Sequence, residues 1–287
     1  MRAIKTTFLL TALTLLLLFI GQYFGGRNGM TVALMFAILM NGVAYFFSDK
    51  IALMSSGAVP ISREQAPRLY AVMERLAAKA NLPMPKLYLI AQPAPNAFAT
   101  GRNPRHASVA VTQGLLELMD DEELEGVIAH ELSHVRNYDI LTSSIAATLA
   151  GAITWLAQMG KFAMIFGGWG GGNGDRDREG GGIAALFMLI LAPIAALLLQ
   201  LGISRQREYQ ADASGAKMIG HPYGLMRALE KLGAYNKKIP MQISPSTSAL
   251  CIVAPRSAGQ FIASLFSTHP PLADRIARLE SMTITRV

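Results

Sequence analysis

Sulfur, charge and basic runs are all scarce in this chain, and each scarcity excludes something. A single cysteine, Cys251, permits no internal disulfide and no C-x-x-C pair, so sulfur-based metal or redox sites are excluded. The expected setting for the working part is therefore a reducing compartment, with Cys251 serving as a small hydrophobe. Only 16% of the 287 residues are charged, against about a quarter in an ordinary soluble domain. Lys and Arg outnumber Asp and Glu by 26 to 19, yet they form no long run. They are scattered or flank apolar segments, which argues against nucleic acid and for a membrane surface. No internal repeat is visible. A glycine-rich stretch at 167–182 lacks the preceding strand and the closing Gly-Lys-Ser/Thr of a phosphate loop, and reads as a solvated linker.

What is abundant is apolar sequence: 52% of residues are hydrophobic and the mean hydropathy is +0.33. Thr7 to Tyr23 and Met30 to Phe47 are uncharged runs separated by a short glycine turn. Each approaches the roughly 20 residues that cross the hydrocarbon core of a bilayer, and together they predict a retained transmembrane hairpin. Leu141 to Phe166 is a weaker third run, containing Thr142, Ser143, Ser144 and Lys161, and Ile183 to Ile203 is a clear fourth. Arg2, Lys5 and Lys50 flank the first pair and only Arg27 lies in its turn. The positive-inside bias then places both chain ends in the cytoplasm. The expected organisation is a hairpin at 1–50, a first soluble part at 51–140, a second membrane pair at 141–203 and a second soluble part at 204–287.

In the first soluble part, Ser62 to Gln65 has the form of a capping box opening an amphipathic helix to about Ala80. Lys86–Ile90, Asn96–Gly101 and Ser108–Thr112 are strand candidates and suggest a small antiparallel sheet. An open edge of such a sheet offers unpaired N–H and C=O groups to an extended peptide. In the second soluble part, helices are expected from Pro222 to about Tyr235, at 258–265 and at 272–282, with a proline-bearing loop at 240–257.

Near the end of the first soluble part stands His130-Glu131-Leu132-Ser133-His134, on a helix that Asp120 or Asp121 opens. Helical spacing sets the two imidazoles on one face, where they converge on one cation. Glu131 is offset from them, placed to act on water without ligating the metal. The pattern asks for zinc and hydrolysis. A catalytic zinc takes three protein ligands and keeps a position open. For the third, the candidates are His106, His221, His269 and the carboxylates that follow the fourth apolar run. Glu208 and Asp212 stand out because they are four apart on one helical face, so one can bind metal while the other accepts a ligand histidine's N–H. Four spans return this segment to the side that carries His130 and His134.

The ordered set of Asn96-Ala97-Phe98, the His130-Glu131-x-x-His134 helix, Ser204-Arg205-x-x-Glu208-x-x-Ala211-Asp212 and Ser267-Thr268-His269-Pro270-Pro271 with Arg275 beyond resembles the membrane-embedded M48 zinc metallopeptidases, most closely the bacterial HtpX heat-shock proteases. The resemblance covers nearly the whole chain. It implies a mainly α membrane protein, with four transmembrane helices and a cytoplasmic zincin-like (gluzincin) α+β catalytic domain. It implies one Zn2+ per subunit on His130, His134 and Glu208, with Glu131 as general base and Asp212 behind a ligand histidine. His269 would polarise the scissile carbonyl or stabilise the oxyanion, and Asn96, Ala97, Phe98 and Arg275 would bind substrate. The implied role is proteolytic quality control, cleaving misfolded or damaged membrane proteins and unfolded proteins at the cytoplasmic face of the inner membrane. Two other readings are a protease acting within the bilayer, against which Glu208 lies beyond the fourth run amid Arg205 and Arg207, and a zinc-stabilised scaffold, against which stand Glu131 and a three-ligand set.

Overall fold

A computed structural model describes residues 2–151, 204–238, 252 and 270–282 of the chain. The expected fourth span, the glycine-rich stretch, most of the third span, the helix at 258–265, Cys251 and His269 lie outside the described residues.

The chain begins with α1 (Arg2–Ser55), two helical arms joined at Gly26, whose φ of 56° and ψ of −145° suit glycine alone. Each arm is long and apolar enough to cross a membrane: Thr6–Tyr23 with a mean hydropathy of 1.7, and Gly25–Ser55 with 1.9. The arms pack closely where Gly21 meets Gly29 and Ala33, with no room for a Cβ. Asn41 Nδ2 donates across the hairpin to Thr14 Oγ1 at 2.8 Å, a polar tie of the kind that joins helices in lipid. At about 1.5 Å per residue, the 31-residue second arm exceeds the roughly 30 Å hydrocarbon core, so it can cross and still project beyond it. Its last turn meets the sheet, where Ala52 and Leu53 pack with Ile90, Phe98 and Ala110.

Four strands follow: β1 (Ala58–Pro60), β2 (Lys86–Ile90), β3 (Ala97–Gly101) and β4 (Ala107–Thr112). Their order is β1-β2-β4-β3. The sheet is mixed rather than antiparallel, because β2 and β4 pair in parallel while β1–β2 and β3–β4 are antiparallel. The cause is the path of the chain. After β2 it skips a position to lay down β3 at the edge, and the return hairpin inserts β4 between them. β4 is buried along its whole length. Val109 and Val111 face the helical core and Ala110 faces the end of α1, which is the alternation a two-sided strand requires.

Helix α2 is Pro67–Lys79 rather than starting after Ser62. The capping bond exists, since Ser62 N donates to Gln65 Oε1 at 2.9 Å, but it closes only a turn. Ala66 precedes a proline and is driven out of the helical region, with φ of −139°. Pro67 then starts the helix afresh, its ring preset for the first turn. After the short α3 (Gln113–Leu118) comes α4 (Asp121–Arg136), which carries the His-Glu-x-x-His residues. Residues 139–151 are helical and form α5. The later helices are α6 (Arg205–Ile219), α7 (Tyr223–Lys238) and α8 (Leu272–Glu280). α4 sits at the centre, packed between α2, α6, α7 and β3, and its Val127, Ile128 and Leu132 belong to the main core.

The polarity that weakened the third apolar run has a structural reason. Thr142 pairs with Thr6 of α1 at 3.1 Å, and Ser144 pairs with Thr100 of β3 at 2.7 Å. The start of α5 is thus fastened both to the first arm and to the sheet.

Candidate metal centre

Two helices supply the site, and local sequence determines how each presents it. α4 opens with a capping box: Glu123 N donates to Asp120 Oδ1 and Asp120 N to Glu123 Oε2, each at 2.9 Å. Three turns on, His130 and His134 stack on one face. α6 opens under Ser204, whose Oγ accepts from Arg207 N, and places Glu208 and Asp212 one turn apart. Gly215 allows the two helices to close: a Cβ there would stand 3.0 Å from His130 N.

His130, His134 and Glu208 offer three ligand atoms within 4.8 Å of one another. His130 Nε2 lies 3.3 Å from His134 Nε2, and the Glu208 carboxylate lies 3.4 Å from His134 Nε2 and 3.8 Å from His130 Nε2. Donors on a tetrahedral zinc with bonds of about 2.0–2.1 Å stand about 3.3 Å apart, so the spacing fits that ion. The ring orientations fit as well. His130 Nδ1 donates to Asp212 Oδ1 at 2.9 Å, which leaves its Nε2 lone pair for a metal. Asp212 is held in turn by Arg275, with Nε to Oδ2 at 2.8 Å and Nη2 to Oδ1 at 2.6 Å. Burial works to raise the Asp212 carboxyl, but the charge and hydrogen bonds of Arg275 outweigh it and hold the group below the usual carboxylate range. Glu131 is buried beside the cluster and takes a backbone hydrogen bond from Ala99 of β3. Burial pushes its carboxyl up, against the opposing influence of His130 and His134.

The structure brings His130, Glu131, His134, Glu208 and Asp212 together. Arg275 is 0% exposed and is bound to Asp212 and to the Ile252 carbonyl at 2.8 Å. The residues expected to line the substrate strand have structural partners as well. Phe98 packs against the end of α1, and Asn96 is buried, its Oδ1 accepting from Ala97 N and Ile252 N. The Ala97 carbonyl on the outer edge of β3 already accepts from Ile252 N at 3.2 Å. His106 bonds Asn103 on an exposed 3₁₀ turn, and His221 stacks on Tyr223, so neither belongs to the cluster.

Two residues at the site carried no sequence signal. Asp139 Oδ2 lies 3.4 Å from His134 Nδ1, and Arg207 Nη1 lies 3.6 Å from Asp139 Oδ1. For His134, burial works to lower the imidazole's pKa, but the Asp139 hydrogen bond and the charges of Glu208 and Glu131 outweigh it and raise the group.

Comparison with known proteins agrees with this geometry. A model of peptidase family M48 matches residues 63–283. A relative from Desulfatibacillum aliphaticivorans, described as a protease HtpX homolog, is 57% identical over 276 residues, which is 96% of this chain and 88% of that one. Another so described, from Pelotomaculum thermopropionicum, is 48% identical over 284 residues, 99% of this chain and all of its own. The crystal structure of S. mikatae Ste24p shares the fold with a TM-score of 0.50 at 20% identity, over 97% of this chain and 65% of Ste24p. With a family match across three quarters of its length and relatives this similar end to end, the chain belongs to peptidase family M48 and is a membrane metallopeptidase of the HtpX type.

Proposed function

We propose that the chain is a zinc-dependent endopeptidase of the bacterial inner membrane that cleaves misfolded or damaged membrane proteins, and unfolded proteins, on the cytoplasmic side. The observation that carries this reading is the position of the His130, His134 and Glu208 cluster. It lies beside a buried carboxylate, Glu131, which reaches Ala99 of the β3 strand, and β3 itself rests on the end of the membrane hairpin.

Zinc, when bound, supplies Lewis acidity that polarises a peptide carbonyl and makes water nucleophilic near neutral pH. The rest belongs to the chain. Asp212, anchored by Arg275, holds His130 in the tautomer that presents Nε2. Glu131 takes the proton of the attacking water on its carboxylate and returns it to the leaving nitrogen. The substrate lies extended along the outer edge of β3 from the Ala99 carbonyl onward, since the Ala97 carbonyl is already taken by Ile252 and the Ala99 N–H by Glu131. His269 supplies a hydrogen bond to the developing oxyanion. Contact between β3 and α1 keeps this groove next to the bilayer, so the bilayer and membrane-protein segments are the expected partners.

The test is Glu131→Gln in purified, detergent-solubilised protein. Zinc content and folding should match wild type, and digestion of casein or of a membrane-protein substrate should fall by at least 10²–10⁴-fold. Retained cleavage would refute the assignment.

A further inference from the structure

The two ligand histidines are supported differently, and the difference points to a positioning pair. Asp139 is not on α4. Five residues along a helix correspond to about 140° of rotation, so on a continuing α4 residue 139 would face away from His134. Instead α4 stops at Arg136 and Tyr138 takes φ of 59°, the left-handed region that a bulky side chain seldom enters. The turn brings Asp139 back beneath His134, 3.4 Å from Nδ1. Tyr138 is 48% exposed, so its ring contributes little packing to offset the strain. Strain of this kind persists where its result is needed.

Arg207 completes the arrangement from α6. Its side chain is 12% exposed, and its Nε and Nη2 have no hydrogen-bond partner among the described residues. Its buried charge is balanced by Asp139, at 3.6 Å, and by the field of neighbouring Glu208. Asp139 stands just before the third apolar run and Arg207 just after the fourth.

We propose that Asp139 and Arg207 are positioning residues for the metal centre. Asp139 accepts the Nδ1 proton of His134 so that Nε2 faces the ion. Arg207 fixes Asp139 to the helix that carries Glu208, which ties both flanks of the segment 141–203 to the metal geometry. The proposal rests on the reading of His130, His134 and Glu208 as metal ligands.

Zinc affinity of the full-length protein in detergent, measured by competition with a chromogenic chelator, tests it, together with the visible spectrum of the cobalt(II) form. Asp139→Asn should bind zinc about tenfold more weakly, at the low end of the 10–100-fold usual for such partners, with an altered cobalt spectrum. Asp139→Glu should recover part of the affinity, and Tyr138→Gly, which keeps the left-handed turn at less strain, should bind as wild type. The melting temperature of the metal-free Asp139→Asn form should stay near wild type while the rise produced by zinc shrinks, a pattern that a purely structural role would reverse. Arg207→Lys should weaken binding severalfold, and it decides the matter if the Asp139 variants do not fold. Wild-type affinity and spectrum in Asp139→Asn, or in Arg207→Lys, overturn the proposal. If wild type itself bound no zinc, the failure would lie in the ligand assignment instead.

Discussion

His130 and His134 lie one turn apart on the same helix, yet their surroundings have little in common. Behind His130 stands Asp212 at 2.9 Å, held by a two-point guanidinium contact from Arg275, which is itself 0% exposed and capped by the Ile252 carbonyl. Behind His134 stands Asp139 at 3.4 Å, and Arg207 approaches it with a single 3.6 Å contact while two of its donors go unpartnered among the described residues. One arm is built entirely within the packed soluble core, from α4, α6 and α8. The other is built where the chain enters and leaves its apolar segments. A buried, fully bonded carboxylate–guanidinium pair is rigid, and losing one member strands the other charge. The looser pair has slack, so the His134 arm is the one whose geometry can adjust.

The largest expected effect tests that contrast through stability. Arg275→Met should cost about 3–5 kcal/mol, because it leaves Asp212 charged and unpaired in the core, and thermal or denaturant unfolding measures it. Arg207→Met should cost less than half as much. Equal losses in the two variants would erase the distinction between the arms.

Next in size is the effect on metal. Asp212→Asn should reduce zinc affinity toward the upper end of a roughly 10–100-fold range and Asp139→Asn toward the lower end, because the first hydrogen bond is shorter and better anchored. Chelator competition on both variants side by side ranks them. A larger loss at Asp139 would invert the comparison and make the His134 arm the stricter one.

How much of this was legible in the sequence follows from what each feature depends on. Local features were readable. The Lys86–Ile90 strand, the Asp120 cap and the spacing of His130, His134, Glu208 and Asp212 depend only on residue type and helical or strand period. Features decided by tertiary routing were not. The three-residue β1 has no period to detect, and the parallel pairing of β2 with β4 follows from a skipped position that composition does not record. Ser62 looked like a helix cap because its bond to Gln65 is real, and Pro67 overrode it. The bond of Arg275 to Asp212 was not readable either, because it exists only once α8 packs against α6. Asp139 was invisible for a sharper reason: helical geometry places it away from His134, and only the left-handed turn at Tyr138 reverses that.

The smallest expected effect serves as the control, because it acts on the helix both arms share. Asp120 caps α4 at the end away from His134, and its carboxyl is lowered chiefly by the hydrogen bond from the Glu123 N–H, against a smaller burial penalty and with help from Arg227 and Lys231. A carboxylate depressed on folding contributes stability that is present above its unfolded pKa of about 3.9 and is lost as pH falls through the lower folded value. Asp120→Ala should therefore cost about 1 kcal/mol near neutral pH, with the difference from wild type narrowing in acid as the charge-assisted part of the cap is lost. Asp120→Asn should keep most of the cap while flattening the acid limb. Melting curves across pH measure both. Since the cap steadies His130 and His134 together, neither variant should change the ratio of the Asp212→Asn and Asp139→Asn effects on zinc. A changed ratio would mean that the two arms are coupled through α4 itself and do not depend separately on Arg275 and Arg207.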